Sequence, residues 1–237
     1  MIVNPDTDLS MSWLFLISFC LKVRANDFIY FHLKQFMDIK QALTSSKFVT
    51  SAATSASLPN DLGTEIAFAG RSNAGKSSTI NKLCGQKQLA RASKTPGRTQ
   101  LINFFTLGPE SMLVDLPGYG YAKASQSKQK QWIELLEYYF SHRQALKGTV
   151  IVMDIRHPLQ AADQNMIDWC LHHGSKVHVL LNKADKLSRN KAMQQLHATR
   201  KALSDQQLDD ITVQLFSAAD GTGSNEVLKK LSQWISE

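Results

Sequence analysis

Short apolar runs alternate with segments of helical period along most of the chain, beginning near residue 65. Strands that alternate with helices are typical of a mostly parallel sheet covered by helices on both faces. Six runs have the length and composition of strands: Glu65–Ala69, Leu101–Thr106, Met112–Asp115, Thr149–Asp154, Lys176–Asn182 and Thr212–Phe216. The pattern therefore predicts a three-layer α/β domain with a six-stranded sheet.

Four segments between or after these runs repeat apolar side chains every three or four residues. Such stripes predict the buried faces of helices that pack on the sheet, rather than grooves for a cofactor or partner. The stripes are Trp132, Leu135, Leu136 and Tyr139; Ala162, Met166, Trp169 and Cys170; Met193, Leu196 and Leu203; and Val227, Leu228, Leu231, Trp234 and Ile235.

The first sixty residues do not follow the α/β pattern. Residues 11–21 are apolar, but eleven residues are too few to span a bilayer as a helix, so no stable membrane insertion is expected. Residues 1–36 are interpreted either as a helix that touches a membrane or as upstream sequence from a misassigned start, and the polar segment after Met37 favours the second. Residues 37–61 are predicted to be an amino-terminal segment with a Ser/Thr/Ala-rich linker at Ser45–Pro59, and residues 62–237 the main domain.

A phosphate-binding sequence follows the first predicted strand directly. A G-x-x-x-x-G-K-[ST] loop between a strand and a helix points backbone N–H groups and the positive end of the helix at phosphate. The predicted phosphate loop consists of Gly70, Arg71, Ser72, Asn73, Ala74, Gly75, Lys76 and Ser77. Lys76 is expected to reach the β- and γ-phosphates, and the Ser77 hydroxyl is expected to bind Mg²⁺.

Three later segments lie where a guanine nucleotide would need them. Asp115 ends a strand and can hold a water on Mg²⁺, while the N–H of Gly118 can sense a γ-phosphate. The Asp185 carboxylate can accept hydrogen bonds from guanine N1–H and the 2-amino group, which adenine cannot offer, so GTP is favoured over ATP. The predicted contacts are Asp115, Leu116, Pro117 and Gly118; Asn182, Lys183, Ala184 and Asp185; and Phe216, Ser217 and Ala218.

A switch loop is expected between the phosphate loop and Asp115. It needs a threonine that reaches Mg²⁺ when a γ-phosphate is present, and Thr95 and Thr99 are the candidates. Thr99 is preferred because the turn at Pro96–Gly97 places it nearer the next strand.

Together these motifs resemble the EngB (YihA/YsxC) family of small bacterial GTPases. The most specific matches are Pro-Gly-Tyr-Gly-Tyr at residues 117–121 and Asp-Ile-Arg-His-Pro at residues 154–158. The resemblance implies a P-loop GTPase fold, Mg²⁺-dependent GTP hydrolysis, association with the large ribosomal subunit during its assembly, and a role in normal cell division and septation. It also implies that Ser77 and Thr99 bind the metal and that Lys76 and Thr99 serve catalysis. The switch residues that it assigns to the nucleotide are Gly97, Arg98, Thr99, Gln100 and Leu101.

The mechanism cannot follow the Ras pattern fully. Ras-like enzymes orient the attacking water with a glutamine just after D-x-x-G, but Tyr119 follows Gly118 here. We therefore expect slow intrinsic hydrolysis that a partner or a monovalent cation completes. Asn73 resembles the asparagine that binds K⁺ in related GTPases, although it could equally satisfy local backbone.

Charge and cysteine content extend these expectations to partners and location. The chain carries 27 Lys and Arg against 20 Asp and Glu, a net charge of +7, and four of the basic residues, Lys87, Arg91, Lys94 and Arg98, surround the switch. This charge is expected to contact rRNA phosphates, unless it is only a solvated basic surface. Three cysteines without metal-type spacing favour a reducing, cytoplasmic setting, and a monomer is expected. Two other functions stay open: a nucleotide-gated binding module with negligible hydrolysis, and a membrane-proximal division factor.

Overall fold

A seven-stranded sheet forms the centre of the computed structural model, which describes residues 38–90, 101–108, 110–120, 126–205 and 211–237. The strand order is β1-β3-β4-β2-β5-β6-β7; β3 pairs antiparallel with β1 and β4, and all other pairs are parallel. The strands are β1 Phe48–Ala52, β2 Thr64–Gly70, β3 Ile102–Thr106, β4 Ser111–Asp115, β5 Leu146–Asp154, β6 Lys176–Asn182 and β7 Ile211–Leu215.

Helices connect the strands and cover both sheet faces. They are α1 at residues 38–44, α2 Lys76–Leu83, α3 Gln126–His142, α4 Ala161–His172, α5 Arg189–Ser204 and α6 Ser224–Ser236, with short 3-10 helices at Ser55–Ser57 and Ala184–Lys186. The described residues from 39 to 237 belong to one compact unit. Within the described ranges, no helix is both long enough and apolar enough to span a bilayer.

The predicted α/β class and its six strands are confirmed, with strand ends shifted by at most three residues. The strand count was wrong by one, because Phe48–Ala52 lies inside the segment interpreted as a linker and forms β1. An edge strand has a neighbour on one side only, and Phe48 and Val49 keep 56% and 43% of their surface exposed. This strand therefore lacks the continuous apolar run that marks the buried strands.

Alternate residues of each central strand point to opposite faces of the sheet. On one face, Ala67, Val114, Ile151 and Val179 join a core that α3, α4 and α5 complete. On the other face, α2 and α6 cover β2, and Trp234 of α6 packs so closely on β5 that a Cβ at Gly148 would meet its ring at 2.8 Å. The predicted helical stripes are largely buried, but Met193 was wrongly included because it is 38% exposed.

A buried ion pair fixes the amino-terminal end of β2. Glu65 is fully buried and accepts hydrogen bonds from Tyr139 Oη at 2.9 Å and Arg143 Nε at 3.0 Å. Arg143 also donates to the carbonyls of Pro59 and Asn60. Burial raises the pKa of Tyr139 well above its usual value, so the phenol stays a hydrogen-bond donor. This cluster lies at the end of β2 opposite the phosphate loop.

Candidate functional site

The phosphate loop joins the end of β2 to the start of α2. Gly75 caps the helix with φ of 100°, a conformation that favours glycine. A Cβ on Gly75 would come within 2.2 Å of Asn182 Nδ2. The loop is closed internally by the Ala74 N–H, which donates to the Arg71 carbonyl at 3.0 Å. The sequence between β2 and α2 thus produces the tight turn that phosphate binding requires.

Lys76 and Asp115 form an ion pair at the centre of this site. Lys76 Nζ donates to Asp115 Oδ1, and Asn103 Nδ2 lies 3.4 Å from the other carboxylate oxygen. Asp115 is the last residue of β4, which runs parallel to β2, so both strands deliver their loops to one edge of the sheet. Ser77 follows Lys76 in the first turn of α2 and is partly accessible.

Asn182 links three of the predicted nucleotide-binding segments. Its side chain is buried, its Nδ2 donates to the Ala74 carbonyl at 2.8 Å, and its Oδ1 accepts from the Ala218 N–H at 3.1 Å. The Ala184 N–H donates to the Phe216 carbonyl at 3.0 Å. These bonds hold the loops after β2, β6 and β7 together.

Asp185 presents a partly accessible carboxylate beside these loops. Ser217 Oγ donates to its Oδ1 at 2.8 Å, and Lys186 Nζ lies 3.1 Å from its Oδ2. These two donors lower the pKa of Asp185, and the serine makes the larger contribution, so the carboxyl group is ionised near neutral pH. An ionised, oriented carboxylate can accept hydrogen bonds from a guanine edge.

Behind the loop, the predicted Lys183 joins two charged residues that the motifs did not assign, Asp154 and Arg156. Lys183 adopts φ of 67°, and its Nζ donates to the Asn73 carbonyl at 2.7 Å and to Asp154 Oδ2 at 2.9 Å. Arg156 binds the same carboxylate through Nε and Nη2, at 2.9 and 2.6 Å, and is the main cause of its lowered pKa. Asp154 and Arg156 belong to the Asp-Ile-Arg-His-Pro string, so the specific sequence was visible but its role was not.

A second set of contacts that the motifs did not predict surrounds Asp163 on α4. This fully buried carboxylate accepts from Tyr119 Oη and from Arg71 Nε, both at 3.0 Å, while Arg71 Nη2 donates to the His157 carbonyl. Burial raises the pKa of Asp163. Burial is also the main cause of the raised pKa of Tyr119, and the nearby Asp163 carboxylate raises it further. An acidic residue in a first helical turn usually indicates only helix capping, so this contact could not be predicted from the sequence.

The structure thus brings the predicted phosphate loop and the segments after β4, β6 and β7 to one sheet edge. Leu116, Pro117 and Gly118 follow Asp115 there, and Leu101 immediately precedes β3. Four predicted switch residues, Gly97, Arg98, Thr99 and Gln100, lie outside the described residues, as does the alternative Thr95. Contact of any of these residues with a nucleotide stays a prediction.

Comparison with known proteins decides the family. A family model described as 50S ribosome-binding GTPase matches residues 65–183. A probable GTP-binding protein EngB of Coxiella burnetii is 53% identical over 195 residues, which are 82% of this chain and 95% of that protein. The chain belongs to the EngB family of GTP-binding proteins. The EngB of Mannheimia succiniciproducens is 52% identical over 80% of this chain and 92% of its own length.

Solved structures support the same fold for this EngB-family chain. A probable GTP-binding protein EngB matches with a TM-score of 0.58 and 21% identity, covering 73% of this chain and 98% of its own. Era in complex with MgGDPNP and 16S ribosomal RNA nucleotides matches with a TM-score of 0.54 and 20% identity, over 73% of this chain and 57% of Era. At these identities the structures establish the P-loop GTPase fold, and the match to the GTPase family model, together with the EngB relatives, establishes a GTP-hydrolysing enzyme.

Proposed function

We propose that this GTPase uses Mg²⁺ and acts in the assembly of the large ribosomal subunit in the cytoplasm, in support of normal cell division and septation. The observation that carries the proposal is the convergence of the phosphate loop, Asp115 and Asp185 on one sheet edge, in a chain that matches a 50S ribosome-binding GTPase model. The free, buried thiols of Cys84 and Cys170 fit a reducing compartment.

Asp185 supports the choice of guanine. Its ionised carboxylate is held by Ser217, and the 3-10 helix at Ala184–Lys186 presents it beside the loop after β7. Guanine offers two donors to such a carboxylate, whereas adenine offers none at the corresponding positions. Adenine bound in the same place would give the base-facing side of the carboxylate no hydrogen-bond donor, at a cost of about 1–3 kcal/mol.

The donor set near Lys76 fits Mg²⁺. Ser77 would offer a hydroxyl and Asp115 a carboxylate that can hold a metal-bound water, both oxygen groups that this hard cation prefers. A Mg²⁺ ion held there would supply positive charge that offsets the negative charge of the phosphates. Lys76, now paired with Asp115, is free to pair with phosphate oxygens as well because its ammonium has three donors. Thr99 is the second proposed metal ligand from this chain.

A ribosomal partner is supported by charge and by the family model. The excess of seven positive charges favours binding to RNA phosphates. Era, which shares the fold, has been crystallised with 16S rRNA nucleotides. A nucleotide-dependent switch next to basic residues would let GTP hydrolysis change the affinity for a pre-ribosome. The chain is proposed to act there as a monomer.

Hydrolysis is proposed to be slow until a partner or a monovalent cation completes the site. The side chain directly after Gly118 is Tyr119, whose hydroxyl donates to Asp163. This observation also favours a second candidate, in which the chain acts mainly as a nucleotide-gated binding module with rare turnover. K⁺ is the proposed cation, with Asn73 as its ligand.

The testing experiment measures GTP and ATP binding and turnover by the full chain in K⁺ and Na⁺ buffers, with and without large ribosomal subunits. Turnover of GTP but not ATP that rises at least tenfold with subunits would support the proposal. Tight GTP binding with no stimulation would favour the binding module. Equal turnover in K⁺ and Na⁺, unchanged in Asn73→Ala, would remove the cation from the mechanism.

A further inference from the structure

One buried carboxylate serves two loops of the candidate site at once. Asp163 lies in the first turn of α4, and its Oδ2 accepts from Arg71 Nε and from the Gln160 N–H at 3.1 Å. Its Oδ1 accepts from Tyr119 Oη. Arg71 belongs to the phosphate loop, whereas Tyr119 directly follows the Asp115–Gly118 motif. Asp163 is therefore a connection between the two segments that are predicted to surround the γ-phosphate.

The backbone of Tyr119 is tied to the phosphate loop as well. Its N–H donates to the Gly70 carbonyl at 3.4 Å, and its carbonyl accepts from the Ser72 N–H at 3.2 Å. Tyr119 and Arg71 form a parallel bridge that extends the pairing of β2 with β4. Gly118 is one residue away, so the position of Tyr119 limits where the Gly118 N–H can point.

Tyr119 occupies the position that carries the water-orienting glutamine in Ras-like enzymes. Here the residue is 4% exposed, and its side chain points into the protein, where the hydroxyl donates a hydrogen bond to Asp163. A side chain directed inward in this way cannot hold a water against the γ-phosphate. Its contribution to hydrolysis must then come through the placement of its own backbone and that of Gly118.

We propose that Asp163 is a positioning residue for GTP hydrolysis, because it fixes Tyr119 and Arg71 on one buried carboxylate and so holds Gly118 in register with the phosphate loop. The inference rests on the proposed nucleotide site. Small displacements of groups around a reacting phosphate reduce rates strongly, while ground-state binding, which depends on many contacts, changes little. Loosening the Tyr119–Asp163 bond should accordingly lower kcat more than it raises KM.

The first test is Tyr119→Phe in the full chain, which removes one hydroxyl and keeps the ring. We expect kcat for GTP to fall about tenfold, with KM for GTP and the affinity for GDP within about twofold of wild type. The matched control is Tyr139→Phe. That residue makes the same kind of buried bond, to a carboxylate that also binds an arginine, but at the opposite end of β2. The control should lose stability without losing kcat at a temperature where both variants are folded.

The second test asks whether the hydroxyl acts through Asp163. In an Asp163→Ala background, Tyr119→Phe should have no further effect on kcat, because the acceptor is already absent. Equal losses in both backgrounds would overturn the role of Asp163. The proposal is also overturned if Tyr119→Phe leaves kcat unchanged, raises it, or lowers it no more than Tyr139→Phe does. If Asp163→Ala fails to fold, the comparison of the two tyrosine variants decides alone.

Each rate is measured with and without large ribosomal subunits. Absence of stimulation in the wild type would count against the proposed ribosomal function, yet the comparison of Tyr119→Phe with wild type would still be read from intrinsic turnover. Conversely, normal stimulation by ribosomal subunits with an unchanged kcat in Tyr119→Phe would refute the positioning role of Asp163 and leave the proposed ribosomal function intact.

Discussion

Replacing Asn182 with alanine tests whether hydrogen bonds within the chain hold the loops of the candidate site together. The Asn182 amide is buried and joins the Ala74 carbonyl on the phosphate loop to the Ala218 N–H after β7. Alanine removes both bonds and leaves a small cavity at the end of β6. The loops after three strands would lose their shared partner.

The expected cost follows from those two bonds. Ala74 is almost fully buried, so its carbonyl would lose its partner without access to bulk water, which costs about 1–3 kcal/mol. Ala218 is half-buried, so water can partly replace the lost acceptor and the cost there is nearer 1 kcal/mol. Together they predict a loss of about 2–4 kcal/mol in the free energy of unfolding, and a weakening of GDP binding by at least about tenfold.

Urea unfolding of the nucleotide-free full chain measures the first quantity, and titration with GDP measures the second. Asn182→Asp is the control for side-chain volume, because it keeps the size and the acceptor for Ala218 but turns a carboxylate oxygen towards the Ala74 carbonyl. It should be at least as destabilised as Asn182→Ala. An alanine variant within about 0.5 kcal/mol of wild type, with unchanged GDP affinity, would refute the reasoning.

Three further predictions concern the glycine cap, the base and a buried histidine. Gly75→Ala should abolish detectable GDP binding in a titration, because its Cβ would meet Asn182 Nδ2 at 2.2 Å and φ is 100°; near-wild-type affinity would contradict this. Asp185→Asn should weaken GTP binding about tenfold or more and strengthen binding of xanthosine triphosphate, which carries a carbonyl where guanine has its 2-amino group; parallel losses for both would count against base contact. Burial lowers the pKa of His178 from 6.5 to about 4, so the unfolded chain takes up a proton that the folded chain excludes as pH falls. Stability should fall by about 2 kcal/mol between pH 7 and pH 5 from this group, and urea unfolding of His178→Gln should show a correspondingly smaller fall.

The fold was predictable wherever burial of a strand produces a continuous run of apolar residues in the sequence. The buried strands β2, β5 and β6 are nearly continuous apolar runs, as strands covered on both faces must be. β1 was missed because an edge strand with exposed Phe48 and Val49 has no such run, and its Ser and Thr residues also suit a linker. Burial, rather than strand propensity, decided which strands could be identified.

The candidate site was predictable only in its local parts. The phosphate loop and the Asn182–Asp185 motif depend on spacing within a few residues, which a sequence displays directly. The bond of Tyr119 to Asp163 spans 44 residues, and that of Arg71 to Asp163 spans 92. The string that contains Tyr119 indicates the family but not the partner of its hydroxyl, and an acid in a helical turn has a common structural role. Only the packing of α4 beside the loops brings them together.

The contacts of Asn182 and Lys183 imply that base recognition and phosphate binding are coupled. Both side chains donate to carbonyls of the phosphate loop, Lys183 to Asn73 and Asn182 to Ala74. Since the C=O and N–H of one peptide point in opposite directions, holding the Ala74 carbonyl turns the Gly75 N–H towards the other side of the loop, where phosphate is expected. The segment that ends in Asp185, the residue proposed to select guanine, therefore also orients a peptide of the predicted phosphate loop. A base that fits Asp185 poorly should disturb the phosphate loop as well, so discrimination against ATP should appear in turnover as well as in binding.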